Sequence, residues 1–575
     1  MFSERIRSLR ILIAGTFLIL AGGLFYFQVL KLSYYRQLSI KNTIRIIPIE
    51  AARGAIYDRN NKPLVSSDIS FDLVVIPQEA KDINALLKRL SGITGIEKSV
   101  LLKNYRRNYL YPFAPVKVAT DLEREKAFYI EEKLSSIPGA LISSEPRRRY
   151  PNGRLCSHIV GYIGRIGKEE FERLKDYGYK IKDLVGKSGV EEYYDAYLKG
   201  QDGGVQIEVD ALSREVKRLG FKEPQKGKDL KLTIDIGLQG VVDKLLEENE
   251  GSCVIMDAKT GEVLALVSSP EFDPNIFLSG TSTERAQLLN DRRRPLVNRA
   301  ISGSYAPGSV FKIIVASAGI DTKAIRTDTV FFCNGALVLG DSVFRCWKEA
   351  GHGYQNIVEG LTHSCNLFFY NLGRVLGAEQ IYHYAAQFGL GALTGIDLPR
   401  EIKGVVPNPL WKRVFLKQAW YEGDTLNYAI GQGYLLVTPI QMLRAVTIIA
   451  NEGYCPAPYV VEEVEGKRLS HKASYNLNLK ADTFKIVKKG MLGVVEDPTG
   501  TGQYAKAEGV SMAGKTGTAQ PGTAGDTHAW FAGYIPAADP KISFIVFLEH
   551  GGQGGVAAAN MARVIATYLK ENGFL

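Results

Sequence analysis

The sequence predicts a membrane-anchored chain of mixed α/β (α+β) class, with one N-terminal spanning helix, an elongated mixed α+β N-terminal domain and a larger α/β domain. Three observations carry this reading. A charge-free apolar run stands near the N-terminus, a Lys/Pro/Gly-rich segment divides the remainder, and beyond it strand-like and helix-like patterns interleave.

The run from Ile11 to Leu30, ILIAGTFLILAGGLFYFQVL, contains no charged residue, and twenty residues rising about 1.5 Å each cross a hydrocarbon core of about 30 Å. It has no polar stripe, which a surface helix would show. Gln28-Val29-Leu30-Lys31-Leu32 follows where a cleaved signal would end in small residues, so the segment reads as a retained anchor. Arg5, Arg7 and Arg10 precede it, which is expected to place residues 1–10 in the cytoplasm, 11–31 in the membrane and the rest of this single-pass chain outside.

From Tyr34 to Leu64 the alternating apolar residues break at Arg53-Gly54 and at Asp58-Arg59-Asn60-Asn61, the pattern of strands joined by a turn. Ile83–Leu90 and Leu122–Leu134 carry helical periodicity, and Tyr150-Pro151-Asn152-Gly153 reads as a turn. The stretch KEPQKGKDLK, Lys222 to Lys231, is the expected linker, so residues 32–230 form the N-terminal domain and 231–575 the C-terminal one. Within the latter, Cys253–Asp257 and Val263–Val267 form a predicted hairpin turning at Lys259–Glu262. Trp530–Ile535 and Ile542–Leu548 form another pair of strands around Asp539-Pro540, and Val556–Lys570 a final helix that covers the sheet.

Composition bounds the rest. With 575 residues, 45% hydrophobic and 23% charged, the chain is neither disordered, collagen-like nor a disulfide scaffold. Its net charge of +10 is spread along the length, so it does not by itself indicate nucleic-acid binding.

Three motifs carry candidate chemistry. In Tyr305-Ala306-Pro307-Gly308-Ser309-Val310-Phe311-Lys312, Pro and Gly precede an apolar helical run, which sets Ser309 on its first turn and Lys312 one turn later on the same face. The amine can then reach the hydroxyl, and the free N–H groups of the helix start favour negative charge beside it. Ser309-x-x-Lys312 is the sole Ser-x-x-Lys in the chain. The second motif is Ser364-Cys365-Asn366, and the third Lys515-Thr516-Gly517-Thr518, with Lys259-Thr260-Gly261 an incomplete copy assigned to the hairpin turn. Gly509 to Thr516 also fits the phosphate-loop pattern letter for letter. That reading requires an apolar strand before it and a helix after it, and QYAKAEG and Gly517-Thr518-Ala519-Gln520-Pro521-Gly522 supply neither. As a strand, the motif puts Thr516 and Thr518 on one face, with Gly517 expected to let a ligand backbone approach.

In this order the three motifs resemble those of the penicillin-binding proteins and serine β-lactamases. Arg53-Gly54-Ala55-Ile56-Tyr57-Asp58-Arg59-Asn60 resembles the box opening the extracellular part of the class B penicillin-binding proteins, and Ser269-Pro270-Glu271-Phe272-Asp273-Pro274-Asn275 and Gly431-Gln432-Gly433 through Gln441 resemble stretches of their transpeptidase domain. Arg149-Tyr150-Pro151, His158 to Gly161, Gly189-Val190-Glu191 and Trp530 to Gly533 are most similar to the elongation-type members.

The resemblance implies a penicillin-binding-protein/β-lactamase-like transpeptidase fold on an N-terminal pedestal, and a D,D-transpeptidase acting on stem peptides ending in D-Ala-D-Ala. It implies Ser309 as nucleophile, neutral Lys312 as base, Ser364 as proton relay and Asn366 as a hold on the donor backbone. Lys515, Thr516, Gly517 and Thr518 would receive the terminal carboxylate of substrate or β-lactam, with the backbone N–H groups of Ser309 and Thr518 as oxyanion hole. The chemistry requires no cofactor. A polytopic SEDS glycosyltransferase and elongation-complex scaffold proteins are the implied partners. The resemblance also makes the membrane the inner (plasma) membrane and its outer side the periplasmic, extracytoplasmic one. A division-type enzyme, a hydrolytic relative using the same motifs and a non-catalytic β-lactam sensor are the alternatives.

Six cysteines (156, 253, 333, 346, 365, 455) stand in an exported chain and could form disulfides. Cys333, Cys346 and Cys365 nevertheless lie close together with His352 between them, the ligand types of a structural Zn²⁺ site, with His363 or Asp341 as substitutes. A Cys333–Cys346 disulfide with Cys365 free is the competing expectation.

Overall fold

The structure is a computed structural model that describes residues 2–36, 44–109, 115–134, 137–181, 183–209, 215–471, 474–521 and 525–575. Phe2–Phe25 is helical and continues as a π-turn over Tyr26–Leu30. The window Arg5–Leu30 is long and apolar enough to span a membrane, and none of it is buried in protein.

Two compact units emerge, and they are not simple halves. One comprises residues 1–53, 67–147 and 199–227. Its antiparallel sheet joins Ile44–Ile49, Gly203–Val209 and Glu215–Lys222. A second small core gathers Leu73, Val75, Leu87, Leu90, Leu101, Val118 and Ile130 from strands and helices. The helix Ile83–Thr94 begins where Asp82 Oδ1 accepts from the Asn84 and Ala85 N–H groups and ends at Gly95 in the left-handed region.

The other unit holds residues 54–66, 148–198 and 228–575, so the cut expected near Lys222–Lys231 marks only one of the crossings between units. The first two segments join this unit through specific contacts. Asn60 Nδ2 donates to Asp235 Oδ2 at 2.9 Å, the Tyr194 hydroxyl donates to the buried Asp397 Oδ2 at 2.8 Å, and Asn275 Nδ2 donates to the Tyr150 carbonyl at 2.9 Å. Gly54 packs so tightly that a Cβ there would lie 1.9 Å from the Lys228 carbonyl oxygen.

A five-stranded antiparallel sheet forms the centre: β1 (Gly251–Asp257), β2 (Val263–Ser269), β3 (Ala513–Ala519), β4 (His528–Ile535) and β5 (Ile542–Leu548), in the order β2-β1-β5-β4-β3. The hairpins expected for β1–β2 and β4–β5 are present, and Lys259-Thr260-Gly261 forms the first turn, with Gly261 at φ +86°. Side chains alternate between two cores: Cys253, Ile255, Phe544 and Val546 meet one layer, while Val254, Met256, Ile545 and Phe547 meet the other. Helices Ile236–Leu246 and Ala557–Glu571 cover the first face. On the second face lie helices α1 (Lys312–Asp321), α2 (Asn366–Gln387, broken at Gly377) and Pro439–Ala450. Strands buried on both faces read as continuous apolar runs, which is why these were the easiest elements to recognise. The strand β3 is an edge, so one row of its backbone groups is open.

Candidate active site

Ser309 sits in a 3₁₀ turn, Gly308–Phe311, that runs directly into α1, rather than on the first α-helical turn. A 3₁₀ turn repeats every third residue, so Lys312 stacks over Ser309. Gly308 has φ +54°, and a Cβ there would approach the Thr518 carbonyl oxygen to 2.6 Å, so only glycine lets this turn lie against β3.

Lys312 is fully buried. Its Nζ donates to the Ser364 carbonyl at 2.8 Å, to Ser364 Oγ at 3.3 Å and to Asn366 Oδ1 at 2.7 Å. The sequence reading expected the amine on the Ser309 hydroxyl; its described hydrogen bonds run instead to the second motif, whose three oxygens match its three donors. Burial pulls the ammonium down from 10.5 to about 8, against the opposing pull of Cys365 and Cys346.

Ser364 occupies the corner between helix Ile357–Thr362 and α2, at φ +52°. A non-glycine residue pays about 1–2 kcal/mol for this conformation, and such strain concentrates at functional positions. The corner turns Asn366, the first residue of α2, toward Lys312, while Asn366 Nδ2 donates to the Arg345 carbonyl at 3.1 Å.

On β3, Thr516 and Thr518 share one face, as expected. The Thr516 and Thr501 hydroxyls lie 2.8 Å apart, and Thr518 Oγ1 accepts from the Gly554 N–H at 3.3 Å. The Thr518 carbonyl accepts from Gln432 Nε2 at 3.4 Å on the open edge. A strand residue sends its N–H and C=O out along the same edge, so the Thr518 N–H also faces the groove. Lys515 is fully buried, with Nζ 3.1 Å from the Thr516 carbonyl, and burial followed by the nearby Lys312 pushes its ammonium well below the usual lysine range. Gly517 requires a correction. A Cβ there would meet Val310 Cγ2 at 2.8 Å, the Pro307 carbonyl at 2.9 Å and Trp530 Cβ at 3.0 Å, so the glycine accommodates the serine turn and not a ligand.

Together these residues line a groove of about 1250 Å³ that contains Ser309, Ser364, Asn366, Thr516 and Thr518. Sequence reasoning missed Thr501, Arg345 and Gln432 as groove residues. The available signal for Gln432 was its two flanking glycines, Gly431 and Gly433, both in the left-handed region at φ +73° and +77°.

Beneath the second motif, Cys333, Cys346, His352 and Cys365 converge, with all four ligand atoms within 4.8 Å of one another. His352 Nδ1 lies 3.6 Å from Cys333 Sγ and 3.5 Å from Cys346 Sγ. A tetrahedral ion with bonds of about 2.3 Å to sulfur and about 2.05 Å to nitrogen needs an S···N edge of about 3.6 Å, so the donor set and its spacing fit Zn²⁺. The hydrogen bond between Cys365 and Cys346 holds the Cys346 thiol below its usual range and pushes that of Cys365 up, so the proton of the pair stays on Cys365. All six cysteines are free. His363 spends Nδ1 on Gln355 Oε1 at 2.6 Å and Nε2 on the Thr499 hydroxyl at 2.8 Å, and Asp341 is exposed in a hairpin turn, so neither substitutes as a ligand.

The family model of the penicillin binding protein transpeptidase domain matches residues 251–567, and that of the penicillin-binding protein dimerisation domain matches residues 48–232. The chain is 34% identical to the peptidoglycan D,D-transpeptidase MrdA of Acinetobacter baumannii, covering 96% of this chain and 85% of that one. To its Escherichia coli K12 counterpart it is 32% identical over 95% and 91%. Among solved structures, it superposes with a TM-score of 0.83 on penicillin-binding protein 2 from Helicobacter pylori, solved in complex with MreC, at 30% identity over 92% of this chain and 99% of that one. A peptidoglycan synthase complex that coordinates polymerization and crosslinking contains a chain matching at a TM-score of 0.76 and 28% identity, over 98% and 97%.

Proposed function

The chain belongs to the class B penicillin-binding proteins, and on that premise we propose that it is a peptidoglycan D,D-transpeptidase of cell elongation whose three motifs form one acyl-transfer site. The observation that supports this most is Lys312, whose buried amine ties the 364–366 motif to the turn that bears Ser309. A serine hydroxyl is a poor nucleophile at neutral pH and needs a base. A lysine titrating at about 8 is free base often enough to act as one.

In this reading Ser309 Oγ attacks the carbonyl of the penultimate D-Ala while its proton passes to Lys312 Nζ. The carbonyl oxygen gathers charge between the Ser309 and Thr518 N–H groups, donors worth about 3 kcal/mol each. The C–N bond breaks, and a proton travels from Lys312 through Ser364 Oγ, 3.3 Å away, to the leaving D-Ala nitrogen. Thr516 and Thr518 hold the terminal carboxylate with Lys515 behind them, and Asn366 holds the donor backbone. An amine of a second stem peptide attacks the ester, forming the cross-link and returning the proton to Ser309. β-Lactams enter the same path and stop at the acyl-enzyme. Labelling the full chain with a fluorescent penicillin tests this: Ser309→Ala loses the label, and equal labelling of both proteins overturns the assignment.

The Cys333, Cys346, His352 and Cys365 set would hold one structural Zn²⁺. When bound, the ion would cross-link the segment that ends in Cys365 and so brace Ser364 and Asn366, taking no part in the chemistry. Metal analysis of purified, non-reduced protein is expected to give one zinc per chain, and strongly substoichiometric zinc overturns this. The single anchor carries Arg5, Arg7 and Arg10 on its N-terminal side, which supports an extracytoplasmic catalytic unit. Scaffold proteins of the elongation complex are partners consistent with the MreC complex of the Helicobacter relative, and a SEDS glycosyltransferase is the expected polymerising partner.

A further inference from the structure

Of the described side chains that line the groove, Arg345 alone bears a formal charge. It ends the short strand Ser342–Arg345, it is exposed, and among the described residues its guanidinium has no ion-pair partner. The Arg345 backbone is nonetheless firmly held. The Arg345 carbonyl accepts from Asn366 Nδ2 at 3.1 Å and from the Tyr370 hydroxyl at 3.4 Å. The next residue, Cys346, is buried in the thiol–imidazole cluster. Trp347, its indole N–H donating to the His363 carbonyl at 2.9 Å, stands in the groove wall on the far side of Cys346. Alternation along an extended segment explains the arrangement: when Cys346 points inward, Arg345 and Trp347 point outward.

This positions one cation at a defined place along the substrate path. If the terminal carboxylate rests at Thr516 and Thr518 and the scissile carbonyl at Ser309, the donor peptide runs past Asn366, and the residue preceding D-Ala-D-Ala arrives beside the Arg345 carbonyl. We propose that Arg345, flanked by Trp347, is a specificity residue that binds a free carboxylate on the side chain of that preceding donor residue, and so selects stem peptides bearing an acidic diamino acid there over amidated or purely basic ones. A guanidinium pairs with a carboxylate through two parallel hydrogen bonds and gains far less from a carboxamide. The inference rests on the transpeptidase reading and on its assignment of Asn366.

The test uses two synthetic donors that end in D-Ala-D-Ala and differ at the preceding residue only, a diamino acid with its side-chain carboxylate free or converted to the carboxamide. Release of D-Ala by the full chain in detergent is followed without any acceptor peptide, with water in place of the amine to hydrolyse the ester and return the proton to Ser309, so only the donor side is read. The wild type is expected to favour the free carboxylate about tenfold in kcat/KM, mainly through KM. In Arg345→Gln the two donors become equal within about twofold, and Arg345→Lys keeps part of the preference. Because a ratio is read, a general loss of rate in a variant cancels. A wild-type ratio near one, or an Arg345→Gln ratio that stays near ten, overturns the proposal. Fluorescent penicillin separates the two levels: a wild type that takes the label yet shows no donor preference refutes this inference and leaves the transpeptidase reading standing, whereas a wild type that reacts with neither peptide nor penicillin refutes both.

Discussion

The ionisation of Lys312 links burial directly to rate. An ordinary lysine, titrating at 10.5, is free base in about one molecule in 3,000 at pH 7, whereas one titrating at about 8 is free base in about one in ten, a gain of about 300-fold in competent base. The cause is removal of the ammonium from water, since Lys312 is fully buried. Acylation by a fluorescent penicillin, measured as a second-order rate constant between pH 6 and 10 on the full chain, is therefore expected to climb about fifty-fold from pH 6 to 8 and to level off above about 9. Lys312→Ala should remove the pH dependence together with at least a thousandfold of the rate. A profile flat between pH 6 and 8, or one that rises only near 10, would refute the argument that burial makes this amine a base. The same burial has a stability consequence of opposite convenience. With the folded value below the unfolded one, the unfolded chain binds more protons between about 8 and 10.5, so Lys312 favours folding increasingly as pH rises through that window. At pH 7, below both values, it costs the fold about 3 kcal/mol, an order-of-magnitude figure.

Gly517→Ala should lower stability by about 1–3 kcal/mol and slow acylation, because the added methyl meets Pro307 and Val310 in the serine turn; a thermal melt and a labelling rate equal to wild type would contradict that packing. Thr501→Val removes the hydroxyl 2.8 Å from Thr516 and should weaken carboxylate binding, raising KM for a D-Ala-D-Ala donor about tenfold with little change in kcat; an effect confined to kcat would place Thr501 elsewhere in the mechanism. At Ser364, Gly should be more stable than Ala by about 1 kcal/mol, since φ +52° strains any Cβ, while both lose the proton relay; an Ala variant as stable as Gly would show the strain to be absent.

Much of the molecule was legible from local pattern. The spanning helix follows from an uninterrupted apolar run, and β1, β2, β4 and β5 announced themselves because a strand buried on both faces must be apolar throughout. The three motifs were recognisable because a nucleophile beside a base and an alternating strand are short-range requirements written in adjacent residues. What lies across the fold could not be read that way. Residues 54–66 and 148–198 belong with the C-terminal unit because of long-range contacts such as Tyr194 with Asp397 and Gly54 against Lys228, which no local composition encodes. The partner of the Lys312 amine, the reason position 517 must be glycine, the hydroxyl of Thr501 beside Thr516 and the lone charge of Arg345 were likewise decided by tertiary structure alone. Each depends on segments from 15 residues to about two hundred residues apart meeting within a few ångströms, and it is that meeting, not the sequence around any one of them, that sets burial, ionisation and the shape of the groove.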